Sequence, residues 1–282
     1  MKKRRFNWSM TAGVGIGLLV VCLAVFHSTS TPWIFMNIVG FLIVGGGLAG
    51  ASLMMCSFED LFILAKDVWS CIYKSHEDIV VATEEIVKLA EKQSADPLFF
   101  FQDMAWVTHT LIRDGVEILG LGLKPDEIRK RLELIAKQSY ERSFEHSGLL
   151  LSLAKLGPGF GLLGTLLGLV VLLQEMGSSG NMDHVGPALA ISLLATLYGV
   201  IFANLLFQPL AEYIRIRGEQ RLKIDHTIID GILMIKEKRH PLQIRDGLRN
   251  HLSWKDNLRL NKSQKKNVKG SDKSKNKVEE AA

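Results

Sequence analysis

Cysteine is scarce in this chain: Cys22, Cys56 and Cys71 are the only three in 282 residues. Two fall in or at the edge of apolar runs and one in a charged block. No spacing among them suggests a metal site or a disulfide framework. The eight histidines are dispersed, without an HExxH pair or any Cys/His cluster, so no hydrolytic metal centre is indicated. Alternating apolar and polar residues, the mark of a half-buried strand, are missing. The glycines lie inside apolar runs and not in strand-to-helix turns, which argues against a phosphate-binding loop. One further absence matters most. The long apolar runs hold no Asp or Glu. Moving protons through a bilayer normally needs an ionisable group inside it. If this chain conducts ions, the carboxylate has to come from another protein.

What is present is strongly partitioned. The chain is 48% hydrophobic, but the apolar runs sit at the start and in the third quarter, with a charged block between them and a charged tail after them. A run of about 20 apolar residues at about 1.5 Å each crosses a hydrocarbon core of about 30 Å. Four such spans are expected, at about 8–26, 33–55, 149–173 and 185–210. The start MKKRR followed by an apolar run mimics a signal peptide. No clear small-x-small cleavage site ends that run and a second span follows at once, so it reads as a retained first span. Lys2, Lys3, Arg4 and Arg5 precede the first span, Lys66 and Lys74 follow the second, and Arg215, Arg217, Arg221 and Lys223 follow the fourth. The links 27–32 and 174–184 hold no Lys or Arg. The positive-inside rule then puts both termini in the cytoplasm.

The expected fold class is an all-α polytopic membrane protein: four transmembrane helices, a helical cytoplasmic domain between the second and third, and both termini cytoplasmic. The expected divisions are 1–57 for the first two spans and 58–147 for the cytoplasmic domain. Residues 148–210 are the third and fourth spans with an external loop at 174–185. Residues 211–254 form a cytoplasmic helix and turn, and 255–282 a disordered basic tail, too poor in apolar residues to offset its ordering entropy. The net charge of +5 comes largely from that tail. It reads as solvated, with binding to anionic lipid as the lesser reading; no nucleic-acid partner is expected. In the cytoplasmic block FEDLFILAKDVWSCIYK, EDIVVATEEIVKLAEK, PLFFFQDMAWVTHTLIRDGVEIL and KPDEIRKRLELIAKQSYERSFEH all read as helices. Pro97 and the 120–125 segment separate them. Pro125 with Asp126 and Glu127 suits a helix start, and that helix is a candidate to continue into the third span.

Within the third span Gly157, Gly161, Gly164 and Gly168 follow steps of four, three and four, so they form one helix stripe, with Thr165 beside it. In the fourth, Ala188, Ser192, Ala195, Gly199 and Ala203 repeat the pattern, with Thr196 at its edge. Small residues let backbones approach in a membrane, where no hydrophobic drive brings helices together. Two readings of Thr165 and Thr196 stand side by side. A membrane threonine commonly bonds its own helix and does nothing else; alternatively these hydroxyls line an ion path. Pro158 and Pro209 can each free a carbonyl and bend a helix.

At PGFGLLGTLLGLVVLL and GPALAISLLATLYGVIFANLLFQPLAEYI the chain resembles the MotA/PomA flagellar stator subunits of the wider MotA/TolQ/ExbB proton-channel group. The resemblance extends to GFLIVGGGLAGASLMMCSFEDL, LIRDGVEILGLGLKPDEIRKRLELIAKQSYER and DGILMIKEKRHPLQIRDGL, covering nearly all of 10–252. It implies an ion-driven motor component of the bacterial inner membrane and not an enzyme, with no cofactor and with H⁺ or Na⁺ as the transported ion. It implies a homo-oligomer, a pentamer around a dimer of a MotB-like single-span, peptidoglycan-binding protein that supplies the membrane Asp. The cytoplasmic face would push on the flagellar rotor switch protein. By the resemblance Thr165 and Thr196 line the ion path, and Pro158 and Pro209 couple conduction to movement. Gly157, Gly161, Gly164, Gly168, Ser192, Gly199 and Ala203 are the helix-packing set.

The departures are informative. The basic and acidic residues that relatives use against the rotor fall on Ser94 or Ala95 and on Gln102 or Asp103. Lys88, Lys92, Asp103 and Arg113 are the candidate substitutes. Glu141 and Arg142 match a charge pair near the membrane. Asn37 stands where Na⁺-type relatives often carry an acid, which weakens a Na⁺ assignment, while Thr165 leans the other way, so the ion stays open. The alternative function is an ExbB/TolQ-type, or a non-flagellar MotA-like, energiser of an envelope process; the four-span layout argues against the former.

Overall fold

The computed structural model describes residues 8–28, 32–73, 78–95, 104, 106–179 and 185–260. No strand occurs among them. In chain order the helices are α1 (Trp8–Ser28), a 3-10 turn (Pro32–Phe35), α2 (Ile38–Met55), α3 (Phe58–Tyr73), α4 (Ile79–Ala95), α5 (Thr110–Gly120), α6 (Pro125–Ser179), α7 (Val185–Ile201), α8 (Gln208–Lys236) and α9 (Pro241–Arg249). Between α7 and α8 the chain stays helical but widens to a π turn, Phe202–Phe207. A last helical turn covers 254–260.

The chain folds as two compact units, one from 1–75 with 142–218 and the other from 76–141 with 219–282. In the first, apolar side chains point outward. Leu162, Leu166, Val170 and Leu173 of α6 and Leu193 of α7 are exposed, while Gly157, Gly161, Gly164 and Gly168 of α6 and Gly199 of α7 are buried. Inward small residues and outward large apolar ones are the pattern of helices solvated by lipid or by neighbouring apolar helices. Three helical stretches, Pro32–Met55, Pro125–Gln174 and Val185–Lys236, are long and apolar enough to cross a membrane. The apolar part of α1, Ala12–His27, is shorter.

The second unit is packed like a water-soluble domain. Ala82, Ile86 and Leu89 of α4 meet Leu111, Ile112 and Val116 of α5, Ile128 and Leu132 of α6, Ile228, Ile229 and Ile232 of α8, and Ile244 and Leu248 of α9. Burying each Ile or Leu contributes about 1.5–3 kcal/mol. Two glycines allow the tightest approaches. A Cβ on Gly115 would strike the Ile232 side chain, and one on Gly231 would strike Ile86.

Helix ends follow local chemistry. α6 starts with Pro125, whose missing N–H is one the first turn does not need, and Asp126 and Glu127 face the positive helix end. Gly122 at φ 70° lets the chain leave α5. α6 is one unbroken helix over Pro125–Ser179, so the continuation that 125–147 suggested is present. The expected helix over 97–119 is present in the second half of that stretch and not at 106–109. It begins only at Thr110, and residues 106–109 are a turn and extended chain. The cause is a side chain distant in sequence. Glu85 of α4, itself buried, accepts the N–H of Thr108 at 2.9 Å and of His109 at 3.4 Å. A carboxylate satisfying those two donors caps α5 from outside its own sequence.

Candidate ion-path site

The stripes of α6 and α7 face each other. A Cβ added to Gly157 would lie 2.8 Å from the Gly199 carbonyl oxygen and 3.2 Å from Ala203 Cβ. One on Gly161 would lie 2.9 Å from Thr196 Cα and 3.2 Å from the Ala195 oxygen. One on Gly164 would strike Ala195, and one on Gly168 would strike Ser192. The two backbones are thus as close as hydrogen-only side chains permit. All seven packing residues expected from spacing lie in this seam.

The hydroxyls divide. Thr196 Oγ1 donates across the seam to the Gly161 oxygen at 3.3 Å. Ser192 Oγ lies 3.2 Å from the Thr165 oxygen and 3.3 Å from the Ala188 oxygen, so its one proton serves both or alternates. Thr165 Oγ1 donates within its own helix, to the Leu162 oxygen at 2.6 Å. The local bond anticipated for a membrane threonine is therefore present at Thr165, one residue short of the usual offset. Each donation spends a proton and leaves oxygen lone pairs, the part of a hydroxyl that a cation or a water needs. Thr165 and Thr196 are both half-buried at the seam's edge.

The prolines behave differently from each other. Pro158 lies inside α6 without ending it, exposed and next to Gly157. Pro209 follows the π turn. It has no N–H, and its ring would crowd the carbonyl four residues back, that of Leu205. Widening the preceding turn relieves this, and the Gln208 N–H reaches back five residues to the Ala203 oxygen. Because Gly157 packs on Gly199 and Ala203, Pro158 sits at the level where α7 gives way to the π turn. The π turn has a sequence signal in Pro209, but a proline more often produces a plain kink.

α7 also carries α2. The Tyr198 hydroxyl donates to the Phe35 oxygen and accepts the Asn37 N–H at 2.8 Å, while Asn37 Oδ1 caps α2 through Val39 and Gly40 at 3.0 and 3.1 Å. Phe41 sits edge-on to the Tyr198 ring, centroids 6.2 Å apart. Tyr198 has no periodic signature, so spacing could not single it out. Lower in the same unit, Ser147 Oγ donates to the Ala211 oxygen at 2.8 Å, and His146 Nδ1 lies 3.0 Å from Asp67 Oδ2.

In the other unit, Lys88 and Lys92 are exposed on α4 and border a groove of about 470 Å³ with Glu91 and Trp106. The Lys92 ammonium stands 5.0 Å from the centre of the Trp106 ring. The Arg113 guanidinium is tied to the Val107 oxygen at 2.8 Å. Asp103 lies outside the described residues. Glu141 pairs with Lys137 at 3.5 Å, and Arg142 beside it is exposed. Burial, with Glu117 nearby, raises the Asp114 carboxyl above its ordinary range. No cluster of metal-ligating side chains occurs among the described residues.

This arrangement has a known counterpart. Residues 104–224, which contain both prolines, both threonines and the whole seam, match the MotA/TolQ/ExbB proton channel family. The match is to that segment of the chain. Among its relatives, the chemotaxis protein PomA of Vibrio alginolyticus is 28% identical over 219 residues, covering 78% of this chain and 85% of PomA. Motility protein A of Borreliella burgdorferi is 33% identical over 172 residues, 61% of this chain and 65% of that one. The fold matches C. jejuni MotAB with a TM-score of 0.77 at 19% identity, over 88% of this chain and 96% of that chain. The segment that holds the seam is thus the one that resembles the MotA/TolQ/ExbB family.

Proposed function

We propose that the chain is a flagellar motor stator subunit that forms, with a MotB-like partner, a channel turning proton flow into torque. The observation that carries this is the seam of α6 and α7: a close-packed helix pair edged with hydroxyls and prolines but without a carboxylate of its own. Such a pair makes half of an ion path and needs a second chain to supply the group that takes up the ion. The relatives named for motility and the solved MotAB complex support the same reading. α1, α2, the apolar half of α6 and the α7 segment are then the four membrane spans, both termini are cytoplasmic, and the seat is the bacterial inner membrane. Copies of the chain ring the partner, five in number, with the hydroxyls of Thr165 and Thr196 toward it. Ion uptake there shifts α6 and α7 at Pro158 and Pro209. The second unit passes this movement to the rotor through an α4 surface that includes Lys88 and Lys92, with Arg113 and Asp103 as further contacts.

The test is co-expression with a MotB-like single-span protein in a stator-deleted host, scoring swimming and cytoplasmic pH under H⁺ or Na⁺ gradients. The expected result is partner-dependent swimming that follows the H⁺ gradient and is lost in Thr165→Val and Pro158→Leu. Unchanged swimming and ion leak in both variants would remove the assigned roles, and swimming without the partner would remove the channel reading.

A further inference from the structure

Below the glycine seam, α6 continues its buried stripe through Leu153 and Leu150 to a histidine. His146 is 7% exposed, yet its Nδ1 reaches Asp67 Oδ2 on α3 at 3.0 Å. α3 is a two-faced helix. Leu61, Leu64 and Val68 pack on Leu150, Leu210, Ala211 and Ile214, whereas Phe58, Phe62 and Trp69 are exposed. Its apolar face and the Asp67–His146 contact both tie it to α6. The Asp67 side chain is 45% exposed, so the pair has a route to solvent protons although the imidazole is enclosed.

Several charged groups lie on the helices that carry or pack against this pair. From α8, Glu212 and Arg215 are bonded to each other at 2.6 and 3.0 Å, and Arg217 lies over the Tyr213 ring. On α6 itself, Arg142 and Glu145 are exposed. On α3, Asp60 is bonded to Ser57, and Glu59 and Lys66 are exposed. Among the described residues, Asp67 is the acid in contact with the imidazole.

We infer that His146 and Asp67 form a proton-operated clasp that tightens α3 onto α6 and α8 as the adjoining pH falls. A neutral imidazole offers Asp67 one N–H in one tautomer and a lone pair in the other; an imidazolium offers a charged N–H in every state. Charge-assisted bonds are roughly twice as strong as neutral ones. Histidine is the side chain whose charge changes between about pH 5 and 8. The clasp follows from this geometry alone. Its use rests on the proposed function: inward proton flow acidifies the side of the membrane where α3 lies, so α3 is held most firmly when flux is greatest.

The experiment is amide hydrogen exchange on the full-length chain in lipid nanodiscs, without any ion gradient, from about pH 6 to 8 and corrected for intrinsic rates. Protection of residues 58–73 is expected to rise about fivefold on acidification, the size of a strengthened, partly exposed pair. α7 serves as the reference and is expected not to change. His146→Gln, which keeps a donor of similar reach, and Asp67→Asn should each flatten the response while α7 stays protected. A wild-type response that is flat, or one that survives in His146→Gln, overturns the clasp. Because no gradient or partner is involved, either result leaves the stator reading standing, and loss of that reading leaves the clasp testable.

Discussion

Replacing Gly157 or Gly161 by alanine adds one methyl group to the tightest part of the α6–α7 seam. At Gly157 the new carbon would sit 2.8 Å from the Gly199 carbonyl oxygen, and at Gly161 2.9 Å from Thr196 Cα. Real carbon contacts begin several tenths of an ångström farther out, and the obstructing atoms belong to backbone, which cannot rotate away. The helices must part along the seam. Forcing a methyl into a packed interface costs about 1–3 kcal/mol. Parting also stretches the Thr196–Gly161 bond, already 3.3 Å long, and a side-chain bond between membrane helices is worth about 0.6 kcal/mol. The control lies in the same helix. Gly159 is exposed, with nothing within 4 Å of a Cβ there. Gly159→Ala should be neutral or gain up to about 1 kcal/mol from helix propensity. The assay is reversible unfolding in mixed micelles for all three variants. The expected order is Gly159→Ala at or above wild type and Gly157→Ala and Gly161→Ala well below it. If all three unfold together, the seam is not a close-packed interface and the argument from spacing fails.

Three other outcomes follow from side chains in contact. Glu85→Ala removes the acceptor for two amide donors at the start of α5; it should cost about 1–3 kcal/mol, read by denaturant unfolding, with faster exchange at residues 108–110 as its local mark. Tyr198→Phe deletes only the hydroxyl that joins α7 to Phe35 and Asn37; exchange protection should fall at 37–41 and persist in α6. Asp114 is an acid whose carboxyl is raised in the folded chain, so the folded state holds its proton better than the unfolded one. Its charged form is therefore a burden that applies above the ordinary carboxylate range and fades as pH falls through it. Asp114→Asn should raise the melting temperature at pH 7, with the difference vanishing toward pH 3–4; a difference that grows on acidification would reverse the sign.

What could be read from the sequence was whatever repeats at helical spacing. The glycine stripe of α6 and the alanine, serine and glycine stripe of α7 meet as their steps of three and four imply, because a small-residue face has few other uses in a membrane. The run from Pro125 through the third span is legible because no glycine–proline break interrupts it until Gly157–Pro158, and there the helix absorbs the proline. What escaped depends on partners far apart in the chain. Nothing local to TEEIV says that Glu85 caps a helix begun at residue 110, and the apolar 97–119 stretch looked helical because hydrophobic periodicity cannot register a distant acceptor. His146 and Asp67 lie on different helices, each an ordinary polar residue in its own segment. The π turn is intermediate: Pro209 announces a disturbance, but a proline by itself more often gives a plain kink than a widened turn.

The seam also has an electrical consequence. Where an added carbon would stand 2.8 Å from an opposing carbonyl, no water molecule fits, and a cation stripped of water pays a prohibitive solvation penalty in so apolar a setting. The glycines of α6 and α7 therefore work as a gasket. They close the space between the two helices, so that no hydrated ion passes between α6 and α7 along the seam.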